Sequence, residues 1–184
     1  METRLTLNLA NGERPADADL ERPLAPDAQA ALRAMHYLAG SLCFTQDGQP
    51  SVEIIDDLSI LLPSLGVAGR ACLARGEPTT VKLFTEATEV HFAPQGDQVS
   101  VTTSWGVTAV YPRAALIDGL RVAILRYLRL LECNLAELPH WQEQALLLRA
   151  TLAELGETDA QPPRDEMPLS DEEMDRIEAA AREE

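Results

Sequence analysis

Residues 112–138 read PRAALIDGLRVAILRYLRLLECNLAEL, and this stretch carries the strongest periodic signal in the chain. Its large apolar residues recur every three or four positions, which is the spacing of one face of a helix. That face consists of Leu116, Leu120, Ile124, Tyr127, Leu131, Leu135 and Leu138. Val122 and Leu125 add apolar groups on the far side. The stretch therefore predicts a long helix at the centre of the fold.

A second helix is predicted directly after the first. Pro139 breaks the long helix, because proline lacks an amide hydrogen and clashes with the preceding turn. The pattern resumes at His140 and stops at Gly156. The residues expected to face inward are Trp141, Ala145, Leu148, Leu152 and Leu155. The short connection predicts a helical hairpin packed on a sheet.

Several segments before the long helix alternate apolar and polar residues, which is the period of a half-buried strand. TRLTLNL (3–9) predicts the first strand, and TTVKLFT (79–85), TEVHFAPQGDQVSVTTSW (88–105) and VTAVY (107–111) predict later ones. The turn PQGDQ is too short for a crossover, so these later strands should form an antiparallel meander. We expect one buried face to hold Val90, Phe92, Val99, Val101 and Trp105.

The segment between the first strand and the meander predicts a surface loop, a helix and a hairpin. Residues 16–26 have no period and are expected to form the loop. The helix should begin at Pro26, in its first turn, and stop at Gly40. The dipeptide Asp47-Gly48 lies between two short apolar runs, which favours a hairpin.

A further short helix is predicted over LSILL (58–62). Asp56 and Asp57 precede it, and a carboxylate there can accept hydrogen bonds from the first N–H groups of a helix. Pro63 should interrupt this helix or start a second one that continues to Gly76. Adjacent carboxylates at a helix start are capping groups more often than a catalytic acid and base.

These elements predict an α+β fold: an antiparallel sheet of about 4–6 strands, packed by a C-terminal helical hairpin and one or two further helices. Residues 1–156 are predicted to form a single globular domain. Residues 157–184 are predicted to form an acidic tail, with a disordered linker and a short capped helix over 170–182.

The acidic tail has the sequence features of a helix start. Ser170 and Glu173 form a capping box, and Leu169 can pack against Met174. A dozen residues with so narrow an apolar edge are marginal as an isolated helix, so we expect order only on a docking surface. The candidate partner-binding residues are Asp171, Glu172, Glu173, Met174, Asp175 and Ile177. A solvated tail that only keeps the protein soluble is the alternative.

The chain is strongly acidic, with 30 acidic and 15 basic residues and a formal charge of −15. Residues 157–184 hold eleven acids against three arginines, a net −8, which leaves −7 for the rest. Nucleic acids and anionic membranes bind proteins mainly through Lys and Arg, so neither is expected as a partner. A basic protein is the expected partner, and a homodimer stays possible.

Two features predict a cytoplasmic protein. Residues 1–13 (METRLTLNLANGE) lack the basic and apolar regions of a signal peptide, and no segment approaches the roughly 18 apolar residues of a membrane span. Cys43, Cys72 and Cys133 are odd in number and widely spaced, so they are expected to be reduced thiols in the core.

The sequence predicts no catalytic, cofactor-binding or metal-binding residue, and we do not expect an enzyme. His140 and Glu143 are one helical turn apart, but two ligands do not make a zinc site. TTSWG (102–106) has threonine where a nucleophile elbow has its first glycine. The alternative is an enzyme or small-ligand module with a pocket between sheet and helical hairpin, lined by Trp105, Tyr111, Tyr127 and Trp141.

In composition and size, a compact acidic α+β chain without catalytic residues resembles bacterial immunity proteins. That resemblance implies a protein that neutralises a toxic effector by binding it, with carboxylates that complement a basic cleft. Secretion chaperones or adaptors, which are also small and acidic, are the first alternative. Lys82 is the one lysine beside fourteen arginines, which is typical of a GC-rich bacterial genome.

Overall fold

The computed structural model describes residues 1–84 and 88–155, with only the backbone of Glu154. The strands of this part are β1 (Glu2–Leu7), β2 (Ala39–Thr45), β3 (Val52–Asp57), β4 (Thr79–Lys82), β5 (Glu89–Gln95), β6 (Gln98–Thr103) and β7 (Thr108–Pro112). Its α-helices are α1 (Pro26–Arg33), α2 (Leu58–Leu62), α3 (Arg70–Ala74), α4 (Arg113–Asn134) and α5 (Pro139–Glu154). A 3₁₀ helix (Asp17–Glu21) and a π-helix (Pro63–Gly69) complete the elements.

The α+β prediction is confirmed, and the strands form two antiparallel sheets where one had been expected. The first sheet has the order β1-β2-β3, and the second is the meander β4-β5-β6-β7. The β2–β3 hairpin turns at Gly48, whose φ of +77° is strained for any residue with a side chain. The predicted hairpin and meander are therefore both present.

Tyr111 of β7 connects the two sheets. Its hydroxyl lies 3.1 Å from the carbonyl oxygens of both Phe44 and Pro50 in the β2–β3 hairpin, and its ring is tilted against Phe44. Phe92 of β5 meets the same Phe44 ring edge-on, with ring centroids 6.5 Å apart. The inward faces of both sheets thus share one apolar core.

Helix α4 lies in this core, as its periodicity predicts. Its apolar face is buried from Leu116 to Leu131. Gly119 allows a close approach to β1, because a Cβ atom there would overlap the side chain of Thr3. Arg126 of α4 pairs with Asp17 at 2.7 Å and with Glu21 at 2.8 Å. These ion pairs hold the 3₁₀ helix against α4, so part of the predicted loop 16–26 is helical.

The α4–α5 hairpin is present, with two corrections. Helix α4 ends at Asn134, so Pro139 does not break it and is instead the first residue of α5. Trp141, Ala145, Leu148 and Leu152 face inward as predicted. Leu155 is 46% exposed and was wrongly placed in the core. It follows the last residue of α5, where the chain has left the helical register that buries Leu148 and Leu152.

Trp105 was also wrongly placed in the core. It is 44% exposed because β6 ends at Thr103 and the chain turns through Gly106, whose φ is +92°. Val90, Phe92, Val99 and Val101 do share the buried face. The alternation continued past the end of the strand, and a period-2 pattern does not show where pairing stops.

The first helix is shorter than predicted, and Gly40 does not terminate it. Helix α1 spans Pro26–Arg33, and Gly40 lies in β2, paired with Leu7 and Asp56. A Cβ atom at Gly40 would overlap the Thr6 carbonyl oxygen and the Leu58 side chain. Glycine is therefore needed there for close packing of a strand and not for a helix stop.

Helix α2 ends at Leu62 and the π-helix begins at Pro63, as one of the two predicted alternatives has it, and α3 follows without a break. The run ends as predicted at Gly76, which has a φ of +76°. The N–H of Gly76 donates to Leu73 O and that of Glu77 to Cys72 O, which is a Schellman cap.

Within residues 1–84 and 88–155, no helix combines the length and apolar character needed to cross a membrane. None of the three cysteines is in a disulfide, as predicted. All three are half-buried, whereas fully buried positions had been expected. Burial and the nearby Glu53 carboxylate raise the pKa of the Cys43 thiol.

Candidate partner-binding surface

Asp57 fixes the point where β3 passes into α2. Its Oδ1 atom accepts hydrogen bonds from the backbone N–H of Ser59 at 2.9 Å and of Leu38 at 3.2 Å. The first contact is the predicted helix cap, and the second ties the start of β2 to the same carboxylate. One buried side chain thus joins β2, β3 and α2.

Asp56 has a different role from the predicted one, because it does not cap α2. It points to the opposite face of β3, where it is 2% exposed, and its Oδ2 accepts a hydrogen bond from Phe84 N at 2.7 Å. Successive residues of a strand point to opposite faces, so only one of two adjacent aspartates can reach the helix start. Asp56 therefore holds the chain after β4 against the end of β3.

Gln144 joins α5 to the same region. Its side-chain N–H donates to Ser59 O at 3.0 Å, and its Oε1 accepts from the hydroxyl of Tyr127 at 2.9 Å. Burial, with a smaller contribution from the Asp57 charge, raises the pKa of Tyr127 far above its usual value. The phenol is therefore protonated at neutral pH and serves as a hydrogen-bond donor.

Helical geometry turns the exposed Leu146 away from Gln144. Five other large apolar side chains are exposed on residues that make these contacts or lie within three positions of one along the chain. We call them the junction surface: Tyr37, Ile55, Ile60, Phe84 and Leu147. Phe84 is 73% and Leu147 69% exposed. Five of the nine exposed large apolar residues in the described part of the chain are therefore close in sequence to this network.

Two exposed carboxylates lie close in sequence to members of the junction surface. Glu53 lies two residues before Ile55 and Glu143 one helical turn before Leu147, and both are exposed. Lys82 is the nearby cation along β4, and it pairs with Glu89 at 3.5 Å. An apolar centre with carboxylates at its edge is complementary to a partner that presents apolar groups within a basic surface.

Two of the groups that were considered for catalysis make structural contacts. His140 packs edge-on against Trp141, with ring centroids 4.8 Å apart, at the start of α5. Cys133 Sγ lies 3.8 Å from the backbone oxygen of Glu21. Among the described residues, no group of three or more His, Cys, Asp or Glu side chains is placed to hold a metal ion.

The four aromatic residues that were expected to line the alternative pocket differ in burial. Tyr111, Tyr127 and Trp141 are buried parts of the core, whereas Trp105 is in the exposed β6–β7 turn. Each tyrosine hydroxyl contacts a protein oxygen, as described above for Phe44 and Gln144. These residues hold the elements together, and the pocket they were expected to line stays a prediction.

The candidate residues of the acidic tail lie outside the described residues. They are Asp171, Glu172, Glu173, Met174, Asp175 and Ile177. Their role in partner binding stays a prediction.

Sequence reasoning did not find the junction surface, although a signal for it exists. Ile54 and Ile55 are adjacent in β3, and Leu146, Leu147 and Leu148 are consecutive in α5. Neither a strand nor a helix can bury such neighbours on one face. When a strand or helix has more apolar residues than its buried face can hold, the remaining ones form a second, exposed apolar surface.

Comparison of the chain with protein-family models, with curated proteins and with solved structures gave no match. The geometry of the described residues therefore carries the functional argument.

Proposed function

We propose that this chain is a protein-binding module that holds a basic protein partner against the junction surface. The observation that carries the proposal is the number of exposed apolar side chains near this hydrogen-bond network in a strongly acidic protein. Large exposed apolar groups bordered by polar residues are typical of protein interaction sites.

The hydrogen-bond network under the junction surface makes it suitable for tight binding. Asp56, Asp57 and Gln144 fix five chain segments relative to one another: the start of β2, β3, α2, the segment after β4, and α5. A surface that is already ordered loses little conformational entropy when a partner binds, so more of the contact free energy becomes affinity. Phe84 and Leu147 are the side chains that we expect to contribute most, because they have the most surface left to bury.

The charge of −15 supplies the preference for a basic partner. Carboxylates attract such a partner over about the Debye length, which raises the association rate at low salt. The acidic tail, with its net −8, adds to this attraction, and we include Asp171, Glu172, Glu173 and Asp175 among the contributing groups.

The kind of partner that we favour is a toxic effector whose basic cleft the module occupies, as an immunity protein does. Holding an effector for secretion is the alternative within the same class of activity. We assign the activity to the cytoplasm, where cysteines such as Cys43 and Cys72 remain as thiols.

Affinity capture from the host lysate at low salt, followed by titration of the identified partner, tests the proposal. The double variant Phe84→Ser, Leu147→Ser should bind that partner at least about tenfold more weakly, since buried apolar anchors dominate interface energies. His91→Ala, on the exposed outer face of the four-stranded sheet, is the matched control and should bind normally.

Two results would count against the proposal. Equal affinity of the double variant and the parent would exclude the junction surface as the contact. Turnover in a substrate screen without a specific partner would favour the enzyme alternative.

A further inference from the structure

A cleft lies between the segment that follows β1 and the segment that leads into α1. Its volume is about 360 Å³. That volume is within the range of roughly 300–1,000 Å³ that is typical of small-molecule sites. Five of the lining residues have apolar side chains: Pro15, Pro23, Leu24, Ala25 and Ala28. The cleft therefore has an apolar wall that suits an aliphatic group.

Hydrogen bonds hold in place both segments that form the cleft. Asn134, a 2% exposed residue at the end of α4, accepts a hydrogen bond from Leu24 N at 2.8 Å and donates one to Arg22 O at 3.3 Å. These two contacts fix the backbone of the segment before α1. In the other segment, Pro15 O accepts a hydrogen bond from Leu7 N of β1 at 2.9 Å. The cleft is thus formed before a ligand enters, which lowers the entropic cost of binding.

The other four lining residues are charged, and their charges balance: Glu13, Arg14, Asp19 and Arg22. Asp19 and Arg22 form an ion pair with each other. Arg14 donates its Nε–H to the neutral Asn8 side chain at 2.8 Å. Among residues 1–84 and 88–155, no cation lies within ion-pair distance of Glu13, and no carboxylate lies within that distance of Arg14. One exposed carboxylate and one exposed guanidinium, adjacent in the chain, are therefore available to a ligand.

We propose that the cleft binds a free α-amino acid with a branched aliphatic side chain, such as leucine. Its ammonium group contacts Glu13, its carboxylate contacts Arg14, and its side chain packs against the apolar wall. Each charged group of this ligand then has one opposite charge in the lining. The inference is independent of the proposed function, because no residue of the lining belongs to the junction surface.

The net charge of the protein favours a zwitterion over a singly charged ligand. The charge of −15 repels a carboxylate that has no amino group, and an amine that has no carboxylate leaves Arg14 without an anion. An α-amino acid is neutral overall, so the field of the protein does not oppose its entry. The side chain supplies selectivity, since each buried methylene raises the affinity about fourfold.

Titration of the full-length protein with L-leucine tests the inference, with the amide chemical shifts of Leu24, Ala25 and Ala28 as the measurement. These amides should show one saturable shift. L-Alanine, which lacks most of the aliphatic group, should bind at least about tenfold more weakly. Isocaproate is leucine without its amino group, and isoamylamine is leucine without its carboxylate. Each should bind about two- to fivefold more weakly than leucine, the range expected for one exposed ion pair.

Two variants assign the charged groups of the ligand to residues of the cleft. In Arg14→Gln, leucine should lose its advantage over isoamylamine, and in Glu13→Gln it should lose its advantage over isocaproate. The matched controls are Arg33→Gln and Glu137→Gln, which change the net charge by the same amounts. Arg33 and Glu137 form an ion pair outside the lining, so both advantages should remain in these controls.

Three outcomes would overturn the inference. The absence of a saturable shift with leucine, up to its solubility limit, would show that the cleft does not take this ligand. Equal affinity of the parent protein for leucine, isocaproate and isoamylamine would show that the lining does not recognise the two charged groups. Equal changes in Arg14→Gln and Arg33→Gln would show that only the overall charge of the protein matters.

Discussion

The outer face of the four-stranded sheet and the junction surface are both exposed, yet they differ in composition. The sheet face presents Thr80, His91 and Thr102, and Thr80 Oγ1 lies 2.9 Å from His91 Nδ1. The junction surface presents isoleucines, a tyrosine, a phenylalanine and a leucine. The sheet face follows the alternation that buries its opposite side, whereas the junction surface departs from it.

This difference shows which exposed residues need an explanation. In β5, Val90 and Phe92 face the core and His91 faces solvent, so the pattern of the strand accounts for every position. In β3, Ile54 faces the core and Ile55 is also apolar although it faces solvent. The core does not require Ile55, and the proposed binding role would account for it.

The largest expected effect is on the buried side of the four-stranded sheet. Phe92→Ala should lower the free energy of unfolding by about 3–5 kcal/mol, because it leaves a cavity beside Phe44. His91→Ala, one residue away and exposed, should change it by less than about 0.5 kcal/mol. Urea titration measures both changes in the free energy of unfolding. Equal changes would show that the two faces of the sheet do not differ in their contribution to stability.

The next effect concerns the carboxylate beneath the junction surface. Asp57→Ala should lower the free energy of unfolding by about 2–3 kcal/mol. It removes a helix cap and leaves the buried N–H of Leu38 without its acceptor. Hydrogen exchange of the Leu38 and Ser59 amides should become faster. Glu53→Ala, on the exposed side of the same strand, is the control and should leave both amides protected.

Tyr127 should make stability depend on alkaline pH. Its pKa is raised in the folded protein, so the folded state keeps a proton that the unfolded state loses near pH 10. The stability that the protonated Tyr127 contributes is complete below pH 10. Above pH 10 the free energy of unfolding decreases by up to about 1.4 kcal/mol per pH unit. Urea titrations between pH 9 and 11.5 should show a shallower decline for Tyr127→Phe, and identical slopes would contradict the assignment.

The smallest stability effect is expected on the junction surface itself. Ile55→Ser and Phe84→Ser should each change the free energy of unfolding by less than about 0.5 kcal/mol, because both side chains are mostly exposed. Denaturant titration checks this result, while the same variants should weaken partner binding. A loss above about 1 kcal/mol would mean that these residues stabilise the fold and that the contrast with the sheet face is false.

The sequence predicted the elements in which one face is clearly apolar. The long helix, the helical hairpin, the meander and the capping role of Asp57 were confirmed. Predictions that depended on where an element ends were less successful, as Trp105 and Gly40 show. Strand length depends on backbone pairing with a neighbour, which local periodicity does not report.

The candidate site was less predictable than the fold. The acidic tail could be identified from the sequence, because charge and capping residues are local features. The junction surface depends on the meeting of β3, α2, α5 and the residue after Leu83, which are separated by up to about ninety positions in the chain. No local pattern shows that Phe84 is bonded to Asp56, or that Gln144, which precedes Leu147 in α5, is bonded to Ser59.

The sequence by itself determined the fold class, the inward faces of α4 and of the meander, and the strongly acidic charge. These follow from periodicity and composition, which are properties of neighbouring residues. The tertiary structure decided that Gly40 lies in a crowded strand, that Trp105 and Leu155 are exposed, and that Asp56 and Asp57 serve different segments. The physical reason is that burial and hydrogen-bond partners depend on segments distant in the chain, and only the packed molecule brings those segments together.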